Sequence, residues 1–134
     1  MGLEIQPEFH PPVRGLVYQA EGKALADAIR SIHAFSKKRG IRPLTDFLDN
    51  RDMPEEDVDE DEWIATRSDW HSPAEGLQAV RALTEAIRAD PKAAQRWNKE
   101  DPDGLETLLD DLDELARCLE ESASRGVQFR LGIG

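Results

Sequence analysis

Residues 104–119 read Gly104-Leu105-Glu106-Thr107-Leu108-Leu109-Asp110-Asp111-Leu112-Asp113-Glu114-Leu115-Ala116-Arg117-Cys118-Leu119. Steps of three and four residues link Leu105, Leu108, Leu112, Leu115 and Leu119, the spacing that lines one face of an α-helix. The pattern predicts a helix over 104–124, with Leu109 and Ala116 widening the apolar stripe and Gly126 as its left-handed cap. About two heptads are too few for a free-standing coiled coil, so the stripe is expected to pack against other helices of the chain. Its seam-like spacing also allows a homodimer through Leu105, Leu112 and Leu119.

Two further helices follow from the same periodicity upstream. Ser72-Pro73-Ala74-Glu75 has the form of a capping box with proline at the first helical position, and Leu77, Val80, Leu83 and Ile87 continue it. A helix is predicted over 72–89. Leu25, Ala28, Ile29, Ile32 and Phe35 place another over 21–39, where Lys37, Lys38 and Arg39 complement the helix dipole and Gly40 stops it. Short helical turns are expected around Pro43–Leu48 and around Ala93, Ala94 and Trp97.

The termini read differently. Val127 to Ile133 alternates apolar and polar residues, as a half-buried strand does, and needs a partner from Leu3–Ile5 or Leu16–Tyr18. Pro7, Pro11 and Pro12 are expected to end any strand that starts near Leu3. The predicted fold is therefore mainly α: a three-helix antiparallel bundle with short extra helical turns and a small two-stranded β element from the termini. With 134 residues and 39% hydrophobic content, residues 1–134 are expected to form one compact domain. An acidic loop or frayed helix is expected around 52–62.

Composition excludes several classes of function. One cysteine, Cys118, permits neither an internal disulfide nor a thiolate metal cluster. The first residues show no export or lipidation signal and no apolar run reaches the ~20 residues of a membrane span, so a cytoplasmic protein is expected. A net charge of −11 argues against nucleic acid as the partner, because phosphate affinity comes from Lys and Arg. The charge is also unevenly distributed. Residues 1–43 hold seven basic and four acidic side chains; residues 44–134 hold ten basic and twenty-four acidic ones.

Seven of the eight residues from Glu55 to Glu62 are acidic. Asp57, Asp59 and Asp61 have the first spacings of a calcium loop, yet Glu62 stands where glycine is required and Ser68 where a bidentate glutamate is required. Glu106, Asp110, Asp113 and Glu114 form a second acidic ridge, opposite the leucines, which reads as a solvated face because no histidine, serine or lysine accompanies it. His10, His33 and His71 lack metal-ligand spacing, and Cys118 reads as an inert, half-buried thiol. His71 is expected to touch Trp70. Lys37-Lys38-Arg39-Gly40-Ile41-Arg42 reads as a helix-end complement rather than a phosphate site, and no phosphate-cradling glycine pattern exists. At least two of Trp63, Trp70 and Trp97 are expected inside.

These readings favour a non-enzymatic interaction protein whose acidic face binds a basic protein partner, of the immunity-protein or nucleic-acid-mimic type. Glu55, Glu56, Asp57, Asp59, Asp61, Glu62, Trp63 and Trp70 are the expected contact residues, with no cofactor and no metal. The alternatives are a small metal-assisted hydrolase using residues 57–62 and a self-associating helical module without a small-molecule ligand.

Overall fold

The computed structural model describes residues 4–48, 70–97 and 103–133. Among them the chain is mainly helical, with one two-stranded antiparallel sheet. In order come strand β1 (Ile5–His10), helix α1 (Lys23–Lys38), a 3-10 turn (Leu44–Phe47), helix α2 (Pro73–Ala89), the short helix α3 (Pro91–Gln95), helix α4 (Gly104–Ser124) and strand β2 (Gln128–Ile133).

Helix α4 packs against both α1 and α2. Leu108, Leu112, Leu115 and Leu119 are all 0–1% exposed, in one apolar cluster with Leu25, Ile32, Val80, Leu83 and Ile87. Burying each such side chain stabilises the fold by about 1.5–3 kcal/mol relative to leaving it in water. The leucine stripe is thus occupied within the chain. Leu105 is partly buried and Leu112 and Leu119 are wholly buried, so a homodimer through these three would require opening the core.

The strand at the amino terminus does not stop where its prolines suggest. β1 continues through Pro7 to His10, with Ile5 opposite Ile133, Pro7 opposite Leu131 and Phe9 opposite Phe129. The amide of Ile5 donates to the carbonyl of Gly22 at 3.0 Å, away from β2. Strand alternation puts the nitrogen of Pro7 on the same outer side, where the ladder requires no donor. Leu16–Tyr18, the other candidate partner, lies outside the strands.

Two close approaches fix the helix entries. Gly22 precedes α1 with φ +75°, and a Cβ there would lie 2.1 Å from the carbonyl oxygen of Ile5. At Gly76, in the first turn of α2, a Cβ would meet the ring of Phe129 at 2.2 Å. The predicted capping box does not form. Ser72 caps through its backbone carbonyl, which accepts from the amides of Glu75 (3.1 Å) and Gly76 (3.2 Å), and its side chain makes no cap bond. The Glu75 carboxylate turns instead to the Arg42 guanidinium at 3.4 Å.

On its second edge β2 receives two isolated bridges. Leu48 pairs with Leu131 in parallel and His71 with Phe129 antiparallel.

Candidate interaction surface

Of the expected contact residues, Glu55, Glu56, Asp57, Asp59, Asp61, Glu62 and Trp63 lie outside the described residues. Trp70 is described, and it is engaged within the fold. Its ring stacks on His10 at 5.2 Å, and the Arg130 guanidinium lies 4.2 Å from its centroid. Arg130 is 8% exposed and its Nε donates to Glu8 Oε2 at 2.8 Å. Glu8, His10, Gln128 and Arg130 share the polar face of the sheet because alternate residues point to one side, while Phe9, Phe129 and Leu131 point into the core. Trp70 covers part of that polar face. Trp97 is likewise half-buried, edge-on to Phe35 at 5.2 Å, so neither described tryptophan is fully inside.

The acidic ridge of α4 faces water at Glu106, Asp110 and Asp113. Glu106 and Asp110 have no ion pair among the described residues, whereas Asp113 lies 3.3 Å from Arg88 and Glu120 3.3 Å from Arg81, both on α2. Glu114 differs from its neighbours. Its side chain is only 13% exposed, it accepts from the amide of Gln19 at 3.1 Å, and Arg117 Nε donates to it. Arg117 also reaches the carbonyl of Val17 at 2.8 Å, so residues 17–22 are clasped against α4.

Asp111 is the residue that the periodicity hid. It is 2% exposed; Oδ1 accepts from the Gly22 amide at 3.4 Å and Oδ2 from the Leu25 amide at 3.2 Å. A carboxylate from α4 therefore serves the first turn of α1, where amides lack helical partners and the dipole favours negative charge. The signal was available in the spacing: Asp111 stands three residues after Leu108 and four before Leu115, on the inward face. Burial raises its proton affinity above the usual carboxylate range; the Leu25 and Gly22 amides oppose this, and Glu21 and Asp110 add to it.

The same corner raises two other groups. Tyr18, whose hydroxyl donates to the carbonyl of Asp111 at 3.1 Å, is pushed up by burial and by the charges of Asp111, Cys118 and Glu114. Burial pushes the Cys118 thiol up to about 11, against the opposing effect of Arg117. Such a thiol is almost wholly protonated at neutral pH and correspondingly slow as a nucleophile.

The histidines are separate. His33 Nδ1 contacts Thr45 Oγ1 at 2.7 Å, His10 lies on Trp70, and His71 lies edge-on to Phe47 at 5.1 Å. His71 makes its ring contacts with Phe47 and Phe129, not with Trp70. Among the described residues no group of three His, Cys, Asp or Glu side chains converges to hold a metal ion. The basic stretch is tied down in part: Arg39 pairs with Asp90 at 2.6 Å, and Arg42 with Asp46 at 3.5 Å. Beside it Gly40, Ile41, Arg42, Glu75, Gln78, Ala79 and Ala82 line an open depression of about 500 Å³. No described helix is long and apolar enough to cross a membrane.

No family model, curated protein or solved structure matches this chain.

Proposed function

We propose that the chain is a non-enzymatic interaction protein that binds a basic protein partner through the acidic side of a three-helix antiparallel bundle. The observation that carries this reading is the segregation of charge. Twenty-four of the twenty-eight acidic residues fall in 44–134, and α4 exposes five carboxylates, on Glu106, Asp110, Asp113, Glu120 and Glu121, against one guanidinium. Such a surface produces a field that steers a cationic partner and raises its association rate, with an effect that salt screens over about 8–10 Å. The acidic block Glu55, Glu56, Asp57, Asp59, Asp61 and Glu62 supplies most of the attraction, and Trp63 and Trp70 supply apolar contact area.

The test uses purified basic nucleases and DNA-binding proteins, titrated at about 0.05 M and about 0.3 M salt. The expected result is binding that weakens steeply at the higher salt. A variant with Glu55, Glu56 and Glu62 changed to Gln and Asp57, Asp59 and Asp61 changed to Asn should lose most of that salt dependence. Equal affinity at both salts, or full affinity in the neutralised variant, overturns the reading.

A further inference from the structure

Residues 11–21 join β1 to α1 outside any helix or strand, and both ends of this loop are fixed. His10 is paired with Gln128, and the carbonyl of Gly22 accepts from the amides of Ile5 at 3.0 Å and Ala26 at 3.1 Å. Between them a turn organises the loop: the Leu16 amide donates to the Val13 carbonyl at 3.2 Å, across Gly15 with φ +84°, a left-handed conformation that glycine adopts at little cost. No residue from 11 to 21 is buried, and the Val17 side chain stands in water at 62% exposure.

The loop is held to one face of α4, mainly through polar atoms. Arg117 donates to the Val17 carbonyl at 2.8 Å, the Gln19 amide donates to Glu114 at 3.1 Å, and the Tyr18 hydroxyl donates to the Asp111 carbonyl at 3.1 Å. Positions 111, 114 and 117 follow one another at helical spacing. Of the loop's side chains, Tyr18 packs against the apolar core; the fully buried members of that core all come from other segments. Beneath the loop lies Cys118, 0% exposed, its Sγ 3.9 Å from the Val17 carbonyl. A segment secured by a few polar bonds, with little apolar burial, belongs to the parts of a fold that open while the core stays closed.

We propose that residues 11–21 form a gate over Cys118, which lifts off α4 as a unit while the helices and the sheet stay folded. Opening breaks the loop's bonds to Asp111, Glu114 and Arg117, and it leaves in place the bonds from the Gly22 and Leu25 amides to the Asp111 carboxylate at the entry of α1. The closed gate restrains the thiol twice, by blocking access to sulfur and by the burial that keeps it protonated. The gate operates whether or not the acidic side binds a partner.

The chain's single cysteine reports on the gate. Iodoacetamide, from which the thiolate displaces iodide, is applied to the full chain at about pH 8 over a series of urea concentrations, and each rate is divided by that of the unfolded chain. Without urea, labelling should run at least about tenfold faster than global unfolding allows, and it should stay nearly flat with urea until global unfolding takes over. Tyr18→Phe removes the bond to the Asp111 carbonyl and should speed labelling about threefold; Tyr18→Ala also removes the packed ring and should speed it about tenfold or more. Val80→Ala, in the buried face of α2, should lower the urea midpoint yet leave labelling without urea unchanged. The proposal is overturned if wild-type labelling follows global unfolding from the first addition of urea, if Val80→Ala speeds labelling in step with its lost stability, or if the Tyr18 variants leave the rate unchanged. Should Tyr18→Ala fold poorly, Tyr18→Phe and the wild-type urea profile still decide the matter.

Discussion

Asp111 and His71 are both polar groups set against apolar packing, and they are served in opposite ways. The carboxylate of Asp111 is almost fully buried, yet both its oxygens meet backbone amides of α1. His71 is only half-buried, yet its inner nitrogen meets nothing. Depth of burial is thus a poor guide to which site is under tension. What matters is whether another element brings a complementary group to the same point, and α1 does so for Asp111 because its first turn has amides to spare.

The sharpest way to break the comparison is to remove the partnered group. Asp111→Ala leaves the buried Gly22 and Leu25 amides without an acceptor and should cost about 2–4 kcal/mol in urea denaturation. A loss well under 1 kcal/mol would show that these bonds are not holding α1 to α4. Beside His71, Gly76→Ala attacks the packing, because the added methyl group overlaps the Phe129 ring that His71 contacts. Overpacking of this kind typically costs about 1–3 kcal/mol, read by thermal or urea unfolding, and should also reduce protection at the His71–Phe129 bridge.

Neutralising Asp111 is gentler than deleting it. Asp111→Asn keeps one acceptor oxygen and should cost about 1 kcal/mol, with a distinct dependence on pH. Burial raises the carboxyl above its usual range, so the folded state binds a proton more readily than the unfolded chain. Its favourable contribution is full below the ordinary carboxylate value and declines as pH rises through the raised folded value. Urea midpoints measured from about pH 4 to about pH 7 should therefore fall more in wild type than in Asp111→Asn. A variant that follows the wild-type slope would show that Asp111 is not the source of the pH dependence.

The two corners were not equally legible beforehand. The helical stripes of α1, α2 and α4 and the terminal strand follow from periodicity, since burial of Leu25, Leu83, Leu112 and Phe129 is what the pattern encodes. Asp111 was concealed because an acidic residue on an acidic helix reads as solvated unless its offset from Leu108 and Leu115 is counted. The Pro7 strand and the unused Ser72 cap depended on partners distant in sequence, Gly22 for the first and Arg42 for the second. Local rules carry no information about such partners. His71 could not be read at all, because its state depends on Phe47 and Phe129, which the sequence places twenty-four and fifty-eight residues away.

The smallest effect sharpens the contrast from the outside. Arg81 and Arg88 reach across from α2 to Glu120 and Asp113, with side chains about 60% exposed. Exposed pairs of this kind contribute about 0–1 kcal/mol, since water screens the attraction and two long side chains lose freedom to make it. Arg81→Ala and Arg88→Ala should each leave the urea midpoint within about 0.5 kcal/mol of wild type. Their effect on binding should be larger than their effect on folding. Each removes a positive charge beside the α4 carboxylates, so association with a basic protein should accelerate at low salt and return to the wild-type rate at high salt. Unchanged association at low salt would detach α4 from the proposed binding surface and leave the acidic block at 55–62 as its sole electrostatic source.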